Sequence, residues 1–167
     1  FGGAVIAVIP LAAGSTISAV VGCNGNDGPE SGSTSGVPGY AAVTVSLKAT
    51  GAPPGDITAD QMDAVADMAD RYGFGELRVS HEQNLILADV RRSQLYALWL
   101  ELDALHLATA NIGMLTNIIA CPGGDFCSLA NAVSIPLAEA IQRRFDCLDY
   151  LFEIGELDLN ISGCINS

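Results

Sequence analysis

From Tyr40 onward the chain switches between two hydrophobic rhythms. YAAVTVSLK (40–48) alternates and is β-branched, the period-two pattern of a strand. TGAPPGD (50–56) reads as a turn. TADQMDAVADMADRYG follows, with a capping box from Thr58 to Gln61 and an apolar face of Met62, Val65, Ala66 and Ala69. Gly73 is its natural stop, so a helix is predicted over 59–72. ELRVSH and NLILADV are two short strands joined at Glu82-Gln83. Ser93 then caps QLYALWLELDAL, a helix with Leu95, Leu98, Leu102 and Leu105 at helical spacing. NIIAC is a short strand that delivers Cys121, and SLANA reads as a helical turn after Cys127. Pro136 opens a long helix, PLAEAIQRRFDCLDYLFEI, with Ile141, Phe145 and Leu148 on one face and Gly155 at its end. LDLNISGC is a last strand, delivering Cys164.

The order from Tyr40 is β-α-β-β-α-β-α-β, with no internal repeat. Its first part fits a ferredoxin-like split βαβ sheet with helices on one face, which makes the fold class α+β. A half-domain is expected over 39–115 and a second, partial domain over 116–167. Residues 1–38 break the pattern. They carry no Lys or Arg and run into GCNGNDGPESGSTSGVPG, a stretch that reads as linker, disorder or foreign sequence. Residues 4–21 are apolar, but Pro10, Gly14 and several hydroxyls interrupt them and no basic residue precedes them. They make a marginal membrane span and a poor secretory signal. Cys23 in this stretch matches a lipoprotein-type cleavage site poorly.

Composition adds a constraint. Half of the 167 residues are hydrophobic and 16% are charged, enough for a buried core. Seven Lys and Arg stand against 19 Asp and Glu, a net charge of −12. That argues against nucleic acid or an anionic membrane surface as a partner. It suits a basic partner or a basic neighbouring domain, and simple solubility explains it as well.

The candidate chemistry lies in the thiols. Five cysteines, Cys23, Cys121, Cys127, Cys147 and Cys164, are an odd number in a chain with a good core, unlike a disulfide framework. Cys121 and Cys127 flank PGGDF, a loop able to bend sharply and bring backbone N–H groups near a sulfur. Cys164 follows Gly163 after the last strand. Three cysteines on strand-end loops suit a metal or iron–sulfur site. Zinc is the rival, although its ligand pairs are usually closer in sequence and no histidine lies nearby. Three buried thiols are the plain alternative. Cys147 reads as a mid-helix thiol in the core or on the surface, Arg143 and Arg144 as a solvated face, and Tyr96 and Trp99 as helix packing.

RVSHEQNLILADV, NIIACPGGDFCSLANA and LDLNISGCINS together resemble the C-terminal half of the sirohaem- and [4Fe–4S]-containing nitrite/sulfite reductases. The resemblance covers roughly 40–167. It implies a half-domain followed by the start of the α/β sirohaem/[4Fe–4S]-binding domain. It implies Cys121, Cys127 and Cys164 as three cluster ligands, with the fourth, bridging cysteine expected at position 168. Both ends of the chain are expected to be cut points. Arg78, Gln83 and Asn84 match a segment that lies against the sirohaem in the family, and Asn166 the loop before the bridging cysteine. These four are the implied cofactor contacts, an Arg with amides being suited to the sirohaem carboxylates. A structural ion pair is the alternative for Arg78, and His81 between them reads as an exposed or core-rim residue rather than a proton donor. The implied activity is six-electron reduction of sulfite to sulfide, with nitrite to ammonia as the alternative. The implied donor is ferredoxin or a flavoprotein, and the implied location is cytoplasmic. An iron–sulfur electron carrier without sirohaem, or an inactive remnant, stays open.

Overall fold

A computed structural model describes residues 4–10, 16–22 and 38–165. Within the opening segment, strands β1 (Ala4–Pro10) and β2 (Thr16–Gly22) pair antiparallel. The linker reading at 23–37, and Cys23 with it, falls outside the described residues. No helix of the described residues is long and apolar enough to cross a membrane.

The chain divides into two compact units, each discontinuous in sequence. The first takes the described residues up to Val45, then Ile57–Ser80 and Asn84–Ala110. Its sheet has the order β3-β5-β4, from Tyr40–Val45, Leu85–Arg91 and Leu77–Val79. Both outer strands run antiparallel to β5, so β3 and β4 are parallel to each other and joined by helix α1 (Ala59–Tyr72). A strand inserted between the two arms of a βαβ crossover is the split βαβ arrangement. As the central strand, β5 is apolar over Leu85–Ala88 and again at Val90, either side of Asp89; Leu85, Ile86, Leu87, Ala88 and Val90 are all buried.

Helix α1 begins and ends where local chemistry dictates. Thr58 Oγ1 accepts the Gln61 N–H at 3.2 Å, and the Gln61 side chain accepts the Thr58 N–H at 3.0 Å. Its buried face is Val65, Met68 and Ala69, rotated from the expected one: Met62 and Ala66 are exposed. Helix α2 (Leu95–Ala104) buries Leu98 and Leu102. It is not capped by Ser93. Residues Arg92–Gln94 form a 3₁₀ turn, pinned where the Arg92 N–H donates to Gly39 O at 3.0 Å, and α2 starts after Gln94 with no side-chain cap. The last turn of α1 reaches α2 through a bidentate pair from Arg71 to Glu101, to which Tyr72 also donates at 2.5 Å.

The second unit takes Ser46–Asp56, His81–Gln83 and the chain from Asn111. Strands β6 (Ile119–Ala120) and β7 (Asn160–Ile161) form a two-stranded parallel sheet. Ile118, Ala120 and Ala138 are its core, with Ile141, Leu159 and Ile161 packed on it. The expected long helix is two: α3 (Ile135–Arg144) and α4 (Leu148–Ile154). The break falls on Phe-Asp-Cys, three weak helix formers. Thr50 Oγ1 donates to the Asp146 carboxylate at 3.0 Å, and Cys147 adopts an extended backbone. Cys147 is therefore not mid-helix but stands at the start of α4, where it is exposed, the surface alternative for this thiol.

Strands of two residues leave much backbone without a ladder, and buried backbone polar groups need partners. Side chains supply them in this unit. Asn111 Nδ2 donates to Lys48 O at 3.1 Å and accepts from Ser46 Oγ at 2.7 Å on its other side-chain atom. Gln142 Nε2 also reaches Lys48 O, at 3.4 Å. Ser46, Lys48, Asn111, Thr116 and Gln142 are all buried.

Candidate functional site

Parallel pairing of β6 and β7 places two thiol-bearing loops at one strand end. Cys121 directly follows β6 and still belongs to the ladder, its N–H donating to Ile161 O at 3.1 Å. Cys164 lies three residues beyond β7. Between Cys121 and Cys127 the chain forms a 3₁₀ turn at Gly123–Asp125 and closes on itself, the Cys127 N–H donating to Gly123 O at 2.8 Å. Gly123 has φ +62°, a conformation that side chains disfavour.

The helical turn expected at SLANA does not form. After one turn bond, from the Ala130 N–H to Cys127 O, the Asn131 and Ala132 N–H groups donate to Gly163 O at 2.8 and 3.1 Å. The carbonyl of the third thiol loop replaces the helix's own carbonyls. The Gly124 N–H returns to Ala132 O at 2.9 Å, so three loops interlock. Gly123 and Gly163 meet at this crossing. A Cβ on Gly163 would lie 2.7 Å from Ala132 O and 2.9 Å from the Gly123 Cα.

The crossing turns hydrogen-bond donors onto one sulfur. Gly163 N–H donates to Cys121 Sγ at 3.1 Å, and Ser134 Oγ lies 3.2 Å from the same atom. The Ser134 hydroxyl, then the Gly163 amide, hold the Cys121 thiol below its ordinary pKa, with Gly123 N–H adding to the effect and burial opposing it. Ser134 stands directly before α3, yet its side chain makes no capping bond; its hydroxyl serves the thiol. The expectation of backbone N–H groups near a sulfur is met, with a donor from the Cys164 loop as well as from PGGDF. Ser134→Ala is expected to raise the pH at which Cys121 alkylates at half its maximal rate, leaving Cys147 unchanged. Iodoacetamide labelling followed by peptide mass spectrometry checks this.

The other sequence-selected residues distribute as follows. Gln83 lies in the second unit with the thiols. Its Nε2 donates to Ala120 O at 2.9 Å and its Oε1 accepts the Ala120 N–H at 3.1 Å. Both ends of the amide thus engage the residue before Cys121. Arg78 and Asn84 belong to the first unit. Arg78 is exposed on β4, with Nε 2.5 Å from Glu76 Oε1, the ion-pair alternative. Asn84 is buried, its N–H donating to Ser80 Oγ at 3.2 Å. His81 is exposed. Asn166 lies outside the described residues. Arg143 pairs with Glu139 one turn away on an exposed face, and Tyr96 stacks on Trp99 at 6.0 Å.

Lys48 is the residue that pattern reading missed. It is fully buried, and its Nζ donates to Ile118 O at 2.7 Å and Gln83 Oε1 at 3.1 Å. Burial pushes its pKa down to about 8, with Glu82 partly opposing. In sequence it is the polar end of a strand, and nothing local marks it as interior.

Donors aimed at sulfur are what a ligating thiolate takes. Three thiols are nonetheless one short of the four that hold a cubane cluster. Among the described residues, no group of three or more His, Cys, Asp or Glu side chains is arranged to hold a metal ion. The described residues therefore present a thiol loop with a ligand-like sulfur, and do not by themselves assemble a cluster site.

Comparison with known proteins extends this geometry. A family model described as the nitrite/sulfite reductase ferredoxin-like half domain matches residues 38–105. The chloroplastic ferredoxin–nitrite reductase of Betula pendula is 36% identical over 129 residues, covering 68% of this chain and 22% of that protein. The Arabidopsis thaliana protein of the same name is 39% identical over the same shares. The sulfite reductase [ferredoxin] of Mycobacterium tuberculosis is 31% identical over 127 residues, 72% of this chain and 23% of the relative. The solved structure of Mycobacterium tuberculosis NirA protein superposes with a TM-score of 0.61 at 30% identity, over 77% of this chain and 23% of that one. The chain thus spans less than a quarter of the length of these relatives.

Proposed function

That this chain is a segment of the nitrite/sulfite reductase family is the premise from which we propose its role: the thiol-bearing part of a reductase that takes an oxyanion of sulfur or nitrogen through six electrons. The observation that carries the reading is the sulfur of Cys121, which receives the Gly163 N–H and faces the Ser134 hydroxyl at the end of a parallel strand pair. Cys121, Cys127 and Cys164 are three of the four thiolates of a [4Fe–4S] cluster in the whole protein. Bound there, the cluster and a neighbouring sirohaem supply the electron path and the iron centre at which the anion is reduced. This chain's own residues hold the ligands, direct hydrogen bonds to sulfur and set the positions of the loops. Arg78, Asn84 and Asn166 stay as cofactor contacts in this proposal, and Gln83 moves to the support of the thiol strand.

Sulfite is the first reading of the substrate, although the motif residues suit either anion. Nitrite is the second reading, supported by relatives at 36% and 39% identity that are named ferredoxin–nitrite reductases. Those names, and the mycobacterial one, support ferredoxin as the donor over a flavoprotein. A cytoplasmic setting is proposed, although the plant relatives carry "chloroplastic" in theirs.

The test is the complete reading frame expressed with sirohaem supplied, then assayed anaerobically with reduced ferredoxin on sulfite and nitrite in parallel. A Soret-like band, an iron–sulfur EPR signal and turnover of either anion are expected. Cys121→Ser is expected to abolish the EPR signal. The 167-residue chain alone is expected to turn over neither anion. A complete protein that binds iron equally well with Cys121, Cys127 and Cys164 all changed to Ser would overturn the reading.

A further inference from the structure

Strand β6 has two edges, and among the described residues only one of them meets a strand. Its sheet is the pair β6-β7, joined where the Ile119 N–H donates to Leu159 O at 3.0 Å and the Cys121 N–H to Ile161 O at 3.1 Å. In a strand, successive residues direct their backbone polar groups to opposite edges. Residues 118 and 120 therefore face away from β7. Ile118 and Ala120 are buried, so these groups need partners that solvent does not provide.

Two side chains fill that edge. Lys48 Nζ donates to Ile118 O at 2.7 Å. The Gln83 amide then takes both groups of Ala120, donating to its carbonyl at 2.9 Å and accepting its N–H at 3.1 Å. That is the two-bond pattern a neighbouring strand would make. Lys48 also donates to Gln83 Oε1 at 3.1 Å, which fixes the amide's orientation: an oxygen there accepts from both the ammonium and Ala120, where a nitrogen could not. The backbone makes room for this device. Gln83 has φ +58°, which costs a side-chain-bearing residue roughly 1 kcal/mol. Gly55 stands opposite, where a Cβ would lie 3.1 Å from that of Gln83.

We propose that Lys48 and Gln83 are positioning residues that act as a side-chain third strand, fixing the placement of Ala120 and hence of the Cys121 sulfur. A buried cation is a poor source of stability, and a hydrophobic residue of similar volume often serves a core better. Its partners here are a backbone carbonyl and an amide oxygen, both on the way to the thiol. The arrangement makes sense as a device of position. The proposal concerns the loop itself and does not rest on the cluster reading, so either can fail without the other.

The test uses the 167-residue chain and its own thiols. Lys48→Met and Gln83→Met keep the stems and remove the donors and acceptors. Alkylation of each cysteine is followed by mass spectrometry, and amide hydrogen exchange of residues 118–121 is read alongside. Each variant is expected to raise Cys121 alkylation and Ala120 exchange about tenfold relative to Cys147, the factor for losing one hydrogen bond to a charged group. Cys121 reactivity unchanged relative to Cys147 in both variants would overturn the proposal. So would a rise shared equally by all the thiols, since that marks a general structural role. If Lys48→Met does not fold, Gln83→Met decides by the same ratio, and unfolding of both counts against selective positioning.

Discussion

Gly163→Ala is expected to destabilise the thiol-bearing unit by about 3 kcal/mol, at the upper end of overpacking costs. The added methyl would stand 2.7 Å from Ala132 O, 2.9 Å from the Gly123 Cα and 2.9 Å from Ser134 Oγ. Two of these three obstacles are backbone, so no rotamer change clears them. Relief requires the loops to part. Parting loosens the Gly163 N–H bond to Cys121 Sγ and the two bonds that Gly163 O accepts from Asn131 and Ala132. Groups buried without partners cost about 1–3 kcal/mol each, so steric relief and hydrogen bonding cannot both be satisfied. Gly124→Ala is the control. A Cβ there meets nothing closer than 3.5 Å, and the change is expected to fall within about 0.5 kcal/mol of neutral. Urea unfolding followed by circular dichroism measures both. Equal midpoints for the two variants would show that the glycine crossing does not lock the loops.

What sequence reading recovered and what it missed separate by range. Helix α1 was legible to the residue because its signals are local: a capping box three residues wide at Thr58 and Gln61, then a glycine stop. β4 and β5 were legible as patterned runs between turn residues, and with β3 and α1 they give the α+β half-domain that the family model independently matches over 38–105. The thiol loop was visible as cysteine spacing and its flanking residues. What holds it was not visible. Gly163 and Cys121 are 42 positions apart, and Lys48 reaches Ile118 across 70. No periodicity encodes such bonds. Ser134 is a further case: it stands directly before α3, yet its hydroxyl turns to a sulfur 13 positions away. SLANA failed as a helical turn for the same reason, its amides being taken by Gly163. Gln83 was selected as a cofactor contact, and the partner visible for its amide is Ala120. Its side chain is the complement of a backbone edge that only the folded β6 presents.

Lys48 also sets a pH dependence whose sign is the reverse of that of an ion-paired lysine, whose pKa folding raises. Its pKa falls from the ordinary 10.5 to about 8 in the folded chain, chiefly because burial disfavours the ammonium. Below pH 8 both folded and unfolded chains hold the proton, and the folded form carries the full burial penalty. Between 8 and 10.5 the unfolded chain keeps the proton while the folded chain releases it. The unfolded state then binds more protons, so stability rises with pH across this window. At 1.36 kcal/mol per pKa unit the whole rise is about 3 kcal/mol. Cys121, with its thiol held low, contributes in the same direction, while Tyr72, held high by its bond to Glu101, keeps its proton longer in the folded chain and opposes it at the alkaline end. The Lys48→Met variant retains both of those groups and so isolates the lysine. Urea unfolding between pH 7.5 and 10 is expected to show the parent chain gaining roughly 2–3 kcal/mol more than Lys48→Met. The deprotonated amine still donates to Ile118 O or to Gln83, so the side-chain edge on β6 survives the loss of charge. A parent chain whose stability runs parallel to that of Lys48→Met across this range would mean that the buried amine is not titrating there, and that Glu82 or solvent holds its charge.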